Sequence, residues 1–376
     1  MPPRTPEEEI ARFDPSVPLD EASTPPSAWY TDPGVYALER SRVFGRSWLA
    51  AAREDQLRSP GDWVADETAG ERYLVSRDAT GSLHAFVNVC RHRASAVAQG
   101  CGRAERLVCP YHGWTYALDG RLLGAPDLGA VKGFERERSG LLPLSSAAWG
   151  PFVFVSRSPR PRPLQEELAP LASRLESSGY ASLRFAARRT YELACNWKVF
   201  VDNYLDGGYH VPLLHRGLAA QLDLSSYRTE IFERFSIQSS AGSAPDARPA
   251  SPGAGTDFAE RIGGGAIYAW IYPSFMINRY GPMMDTNWVV PLAPDRTRVH
   301  MDYYFEETEG ERAREFIERS LAASDVVQRE DIGICESVQQ GLASSSFESG
   351  RYSVKRQAGE HHFHRLLAAD LRTPAE

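Results

Sequence analysis

Two short cysteine–histidine pairs, Cys90-x-His92 and Cys109-x-x-His112, constrain this chain more than any other feature. They lie in CRHR (90–93) and CPYHGW (109–114), with sixteen residues between His92 and Cys109. Two thiolates and two neutral imidazoles can hold a single zinc ion. They can also hold a [2Fe–2S] cluster, with cysteine on one iron and histidine on the other. That ligand set raises the cluster potential above that of an all-cysteine ferredoxin. The spacing favours the cluster, because zinc is commonly gripped by Cys-x-x-Cys and Cys-x-His is unusual for it. Tyr111, Gly113 and Trp114 can pack around the second loop, as a water-shielded cluster needs.

At 376 residues the chain has room for two or three domains. Its 42% apolar and 24% charged residues fit an ordinary soluble globular protein. A net charge of −7 gives no basic footprint for nucleic acid. No apolar run approaches the length needed to span a membrane. The N-terminus, MPPRTPEEEIARFD, has no apolar signal core and is too acidic for a typical organellar transit peptide. Five cysteines are too few and too scattered for a disulfide framework. With Cys90 and Cys109 assigned to the metal site, Cys101, Cys195 and Cys335 read as free core thiols. A cytoplasmic location is expected.

Residues 1–47 read as a proline-rich lead with one helix over Pro33–Phe44. Residues 48–157 read as an all-β domain. WLAAA, DWVADE, RYLVSR, LHAFVNV and PFVFVS alternate with turn signals, which puts the cluster ligands at strand ends and loop tips. His84 reads as a half-buried strand residue. Residues 158–376 read as a second, mixed domain, so the fold class is α+β. PLQEELAPLASRLES has the spacing of one amphipathic helix, and FAARRTYELACNWKVF carries a strand into a helix. GAIYAWIYPSFMINRY, MDTNWVVPL and RVHMDYYFEE suggest an antiparallel sheet, and Glu309–Leu342 is helical in pattern. The Ser/Gly/Ala/Pro-rich stretch 239–256 reads as a surface loop. IGGGAI (262–267) lacks the GxGxxG fingerprint and reads as a turn, so no NAD or flavin module is expected in the chain.

NWKVFVDNYLDGGYHVPLLH (196–215) is the other dense signal. Asp202, Asp206 and His210 recur every four residues, a step of only ~40° around a helix, and so form one stripe. Pro212 is expected to end that helix, because the residue before proline leaves the α region. On a continued helix His215 would point ~140° away from His210, and the break can bring it back. Gly207 and Gly208 leave room for close approach of another backbone. Two histidines beside a carboxylate, with open coordination positions, are what a 2-His-1-carboxylate iron(II) site requires. The third ligand is best sought at Asp331, which falls between Val327, Ile334 and Val338 on an inward-leaning helix face. A carboxylate buried there needs a partner. Asp325, Glu330 and Glu336 are alternatives, and in the plainer reading Asp331 and Glu330 are solvated.

Together the two sites resemble the catalytic α subunits of the Rieske non-haem iron oxygenases, over nearly the whole chain. NWKVFVDNYLDGGYHVP, YAWIYPSFMINRYGPMMDTN and VQREDIGICESVQQGL are similar to choline monooxygenases within that family. The resemblance implies Cys90, His92, Cys109 and His112 as [2Fe–2S] ligands. It implies His210, His215 and Asp331 as mononuclear iron ligands, and Asp206 as the inter-site electron bridge. It further implies a Rieske domain over 48–157 and a helix-grip-like catalytic domain over 158–376, with an antiparallel sheet flanked by helices and the 1–47 segment packed on it. A homotrimer is implied, in which Asp206 joins its own His210 to His112 of the partner subunit. The plant choline enzymes carry a chloroplast transit segment that is not recognised here, and the 239–256 loop looks particular to this chain.

The implied reaction is reductive activation of O2. Electrons pass from NAD(P)H through a separate ferredoxin or flavin reductase to the cluster, then to the mononuclear Fe(II). One oxygen atom enters a substrate C–H bond and the other leaves as water. A choline-like quaternary ammonium substrate would need an aromatic enclosure. Tyr268, Trp270, Tyr272, Phe275, Tyr280 and Trp288 offer the surface, although Tyr268, Trp270 and Tyr272 alternate as a core strand face also would. N-demethylation of a betaine-type compound and ring hydroxylation of an aromatic are competing reactions. A Rieske electron carrier and a zinc-stabilised binding protein are the non-enzyme readings; the second site argues against the carrier, and the zinc reading predicts a colourless protein. His361, His362 and His364 read as a helix face and its surface.

Overall fold

The computed structural model describes residues 4–219, 222–241 and 265–374. Most of the 239–256 loop and the start of IGGGAI lie outside them. The chain divides into two compact units, Phe44–Glu167 and Met1–Val43 together with Leu168–Glu376.

The first unit is β-rich. Strands β1 (Leu49–Arg53), β2 (Asp62–Thr68), β3 (Glu71–Arg77), β4 (Leu83–Val87), β5 (Gly100–Arg103), β9 (Pro143–Trp149) and β10 (Phe152–Ser156) form one sheet in the order β1-β10-β9-β4-β3-β2-β5. A smaller sheet joins β6 (Arg106–Val108), β7 (Thr115–Ala117) and β8 (Leu122–Gly124). Leu74, Phe86, Leu107, Trp114 and Tyr116 pack into one apolar cluster that includes Cys90 and Cys109. Cys101 is not a core thiol: it sits on the edge strand β5, where every side chain is exposed. His84 is a strand residue whose Nε2 lies 2.8 Å from Asp78 Oδ2.

The second unit holds a seven-stranded antiparallel sheet. Its strands are β11 (Arg184–Leu193), β12 (Arg228–Ile231), β13 (Phe235–Ala241), β14 (Gly265–Ile271), β15 (Phe275–Tyr280), β16 (Met283–Ala293) and β17 (Arg296–Phe305), in the order β11-β17-β16-β15-β14-β13-β12. Helix Trp197–Leu205 packs against the sheet, against the 32-residue helix Glu311–Leu342 and against helix Ala358–Arg372. The buried stripe of the long helix is polar: Ser320, Ser324, Gln328, Asp331 and Gln339, with Cys335. Ile334 and Val338, expected to point inward with Asp331, are exposed instead. The segment PLQEELAPLASRLES forms two helices, Leu164–Glu167 and Ala169–Glu176, because Pro170 suits the first turn of a new helix better than the interior of a long one. The helix expected over Pro33–Phe44 is α-helical to Glu39 and continues as a π turn. Glu39 is fully buried there. It takes Lys198 Nζ at 2.5 Å and Trp197 Nε1 at 2.8 Å, which ties the N-terminal segment to the helix that leads into the histidine site.

Candidate active site and cluster loops

Cys90 and His92 follow β4, and Cys109 to Gly113 connect β6 to β7. Each loop is closed by its own backbone. Cys90 N–H donates to Ser95 O at 2.8 Å, Cys109 N–H to Trp114 O at 2.8 Å, and Gly113 N–H to Cys109 O at 3.1 Å. Gly113 has φ +71°, a conformation that favours glycine. Both thiols are buried, the rings of His92 and His112 lie 4.6 Å apart, and Trp114 stacks on His92. Tyr111, expected to pack around the loop, lies against His112 but is 62% exposed. Tyr116 Oη accepts Arg91 N–H at 3.0 Å, so its own proton is free to donate to Cys90 Sγ at 3.3 Å.

The donor set fits a binuclear group. His92 Nδ1 is buried with no hydrogen-bond partner, a costly state for a ring nitrogen unless it is a ligand. Burial, with His112 and Arg93 nearby, holds the His92 pKa below its usual value and keeps the ring in its neutral, ligating form. Among the described residues, no three of these four donors come within 4.8 Å of one another, as a single tetrahedral ion would require.

The expected stripe of Asp202, Asp206 and His210 on one helix does not form. Asn196 caps the helix by accepting Lys198 N–H at 3.1 Å, and the helix ends at Leu205. Gly207 and Gly208 then both take φ +70°. A Cβ on Gly207 would lie 2.1 Å from the Arg356 carbonyl oxygen, so glycine is required there. The Asp206 carboxylate closes the turn, accepting the N–H groups of Tyr209 and His210 at 3.0 Å each. Pro212 begins the short helix Val211–Leu214 instead of ending a longer one, since the missing N–H costs nothing in a first turn.

This turn still brings the three expected residues together. His210, His215 and Asp331 place ligand atoms within 4.8 Å of one another. Asp331 Oδ1 is 3.0 Å from His215 Nε2 and 3.9 Å from His210 Nε2. Each ring is held from behind: His210 Nδ1 lies 2.6 Å from Asp206 Oδ2, and His215 Nδ1 lies 2.7 Å from Glu330 Oε2. These carboxylates accept Nδ1–H, so both Nε2 lone pairs face the centre. Asn203 Nδ2 donates to Asp331 Oδ1 at 2.8 Å. Burial opposes protonation of His215, but Asp331 and Glu330 outweigh it and raise its pKa. The geometry fits a 2-His-1-carboxylate metal centre with an open face. The sequence reading missed the roles of Glu330 and Asn203.

Asp202 faces away. It accepts Tyr30 O–H at 2.7 Å and lies 3.0 Å from His364 Nε2. His361 and His364 are buried on the inner face of their helix, not on its surface. Asp202, Glu360 and His364 also bring ligand atoms within 4.8 Å, but Tyr30 and Tyr352 engage both nitrogens of His364.

A cavity of about 120 Å³ opens beside the trio, walled by Phe200, Tyr204, Tyr227 and Tyr268, with Gln238, Asn278 and Asn287 as polar lining. Burial keeps the Tyr204 and Tyr227 phenols protonated, with pKa values well above the usual tyrosine range. Of the aromatics first expected here, Tyr268 lines the cavity and the others lie elsewhere. Trp270 and Tyr272 share the Tyr268 face but pack under Phe363 of the C-terminal helix. Phe275 and Trp288 are cross-strand partners on the opposite face, with Arg188 over the Trp288 ring. Tyr280 is one shell back, its ring 6.4 Å from that of Tyr268.

A β-rich domain with Cys/His cluster loops, followed by a sheet-and-helix domain with a His/His/Asp centre, defines the catalytic subunit of a Rieske-type oxygenase. Residues 47–135 match the Rieske [2Fe-2S] domain, and residues 180–372 match the ring hydroxylating alpha subunit (catalytic domain). The chain belongs to that α-subunit family. It is 44% identical to the chloroplastic choline monooxygenase of Arabidopsis thaliana, over 96% of this chain and 86% of that protein. It is 31% identical to the carnitine monooxygenase oxygenase subunit of Escherichia coli strain K12, over 93% of this chain and 94% of that protein. The crystal structure of the quaternary ammonium Rieske monooxygenase CntA with L-carnitine aligns at a TM-score of 0.80 and 29% identity, covering 98% of this chain and 100% of that one.

One expectation is corrected by these relatives. The matching choline monooxygenases are chloroplastic, so cysteine usage and an acidic N-terminus do not assign this protein to the cytoplasm. Among the described residues, no helix is long and apolar enough to cross a membrane.

Proposed function

We propose that the protein hydroxylates a C–H bond of choline or a closely related quaternary ammonium compound. It would use O2 and electrons delivered from NAD(P)H by a separate ferredoxin or flavin reductase. Cys90, His92, Cys109 and His112 hold the [2Fe–2S] cluster, and His210, His215 and Asp331 hold the mononuclear iron. The working unit is a homotrimer in which Asp206 links the two kinds of centre. When bound, the cluster supplies single electrons and the iron supplies the O2 chemistry.

The chain's own residues do the positioning. Asp206 and Glu330 hold the two imidazoles with Nε2 inward, and Asn203 fixes one oxygen of Asp331. The observation that carries the substrate reading is the wall of Tyr204, Tyr227 and Tyr268 beside the trio. A quaternary ammonium group donates no hydrogen bond, and aromatic faces replace the hydration it loses. Gln238 and Asn287 offer partners for a hydroxyl. The same walls limit water near the centre.

Anaerobic single turnover tests this reading. The reduced, iron-reconstituted protein is mixed with choline, then with O2. A red-brown cluster spectrum, a full complement of cluster plus mononuclear iron, and betaine aldehyde are expected. Product from carnitine or a betaine, but not from choline, would move the substrate within the class. Product from no quaternary ammonium compound would overturn the class.

A further inference from the structure

Gln328 lies on the long helix three residues before Asp331, so the two side chains share a face. It is 6% exposed and lines the cavity, yet among the described residues neither end of its amide has a hydrogen-bond partner. Its neighbours on the buried stripe are engaged. Ser324 Oγ lies 2.8 Å from Tyr303 Oη, and Asp331 accepts from Asn203. Gln339 accepts Asn196 N–H at 2.8 Å and donates to Tyr30 O at 3.3 Å. Ser320 Oγ also lacks a partner among the described residues, but it does not line the cavity. Asn287 on β16 opens onto the same space. It is 3% exposed and its Oδ1 accepts Asn278 Nδ2–H at 3.3 Å, while its own Nδ2 has no acceptor among the described residues. Gln238 is more committed: it gives Nε2–H to Tyr204 O at 2.8 Å and accepts Tyr227 O–H at 3.3 Å.

A buried amide without a partner is costly. Methionine, of the same length, would fill the position on a helix without that cost. The amide is explained if a ligand supplies the missing bonds. Asn287 presents a donor, because its oxygen faces Asn278, and Gln328 can both accept and donate. A hydroxyl donates once and also accepts, so it satisfies the two together. The methyl groups of a quaternary ammonium do neither and rest on the tyrosine faces instead.

We propose that Gln328 is a specificity-determining residue: its amide, with Asn287 Nδ2, binds the hydroxyl of the substrate, so that the cavity takes a quaternary ammonium alcohol in preference to an alkylammonium of the same size. This deepens the quaternary ammonium reading above and rests on it. A site built to hydrogen-bond a hydroxyl rejects the analogue lacking it more strongly than an apolar pocket can, because the buried polar groups are then left unpaired.

Calorimetric binding to the metal-replete protein tests it, with choline and with propyltrimethylammonium, in which a methyl group replaces the hydroxyl. Wild type is expected to bind choline about tenfold more tightly. Gln328→Met keeps the side-chain length and removes the hydrogen bonds. It should weaken choline binding about tenfold and leave propyltrimethylammonium within about twofold, in samples matched for iron content. The unchanged alkyl compound shows that the pocket has kept its shape. If the Met variant does not fold, Gln328→Ala, also helix-favouring, serves the same comparison. An undiminished choline preference in the variant overturns the inference and leaves the substrate class standing. Equal loss of both ligands assigns Gln328 to packing alone and also overturns it. A wild type that binds both compounds equally overturns the inference but keeps the ammonium reading. A wild type that binds neither removes the ammonium reading and the inference with it.

Discussion

Glu330 offers a sharp test of how the histidine centre is built. His215 is held at both ring nitrogens, 2.7 Å from Glu330 and 3.0 Å from Asp331. A hydrogen bond to an ionised acceptor is worth about 1.5–3 kcal/mol. The Glu330 side chain is 37% exposed, so solvent screening puts it near the lower end. About 1.5 kcal/mol corresponds to about tenfold in affinity. That agrees with the ~10–100-fold losses typical when a metal-bound histidine loses its outer partner. Glu330→Ala should therefore weaken mononuclear iron binding about tenfold. Glu330→Gln keeps an oxygen that accepts Nδ1–H and should lose about threefold or less. Competition with a graded Fe(II) chelator measures this, normalised to the cluster absorbance, which neither substitution should change. If the Ala variant binds iron as tightly as wild type, Glu330 does not orient His215.

Three further outcomes are expected. Asp206→Asn keeps the shape of the turn and both metal centres but removes the charge between Tyr209, His210 and the proposed electron path, so turnover should nearly vanish while metal content holds. Full activity would sink the bridge. Gly207→Ala adds a Cβ 2.1 Å from the Arg356 carbonyl at φ +70°, so it should cost at least about 2 kcal/mol of stability and lower mononuclear iron content. A wild-type melting curve would show that the close approach is not real. Burial lowers the His362 pKa to about 4, from 6.5 for a free ring. Between those values the unfolded chain takes up a proton that the folded chain does not, so stability falls as pH drops through that window. His362→Gln should flatten this acid loss by up to about 3 kcal/mol, read from denaturant midpoints at neutral and acid pH. Parallel pH profiles for the two proteins would refute it.

What the sequence discloses follows from how local each feature is. The cluster loops are readable because ligands, turn glycine and packing aromatic sit within a few residues, and each loop closes on its own backbone at Cys90–Ser95 and Cys109–Trp114. The histidine centre is readable in its membership but not in its path. Spacing by four suggests a continuous helix to His210, yet the adjacent glycines 207 and 208 are a helix-stop signal, and the Arg356 carbonyl that demands one of them is far away in sequence. Asp331 is buried for a different reason than the one first given. Its neighbours on the stripe are Gln328, Cys335 and Gln339, while Ile334 and Val338 face out. The long helix thus meets the rest of the unit through a largely polar seam, which an apolar-periodicity argument does not find.

The cavity shows where alternation stops being informative. A period of two sorts Tyr268, Trp270 and Tyr272 onto one face and identifies Phe275 and Trp288 as cross-strand partners once the register is known. It does not say what covers each end of a face. The C-terminal helix covers Trp270 and Tyr272 through Phe363, while the histidine-bearing turn leaves Tyr268 facing open space. The remaining cavity tyrosines come from outside the strand that carries most of the aromatic residues. Tyr204 is one residue beyond Asn203 on the helix that leads to the histidine turn, and Tyr227 packs on Tyr268 from the segment before β12. Tyr204 can be found by asking which neighbours of a suspected ligand stripe are aromatic. Tyr227 cannot, because only the register of β12, β13 and β14 brings it to Tyr268. The cavity wall is therefore specified by pairings distant in sequence, even where the two histidines beside it are announced by a local motif.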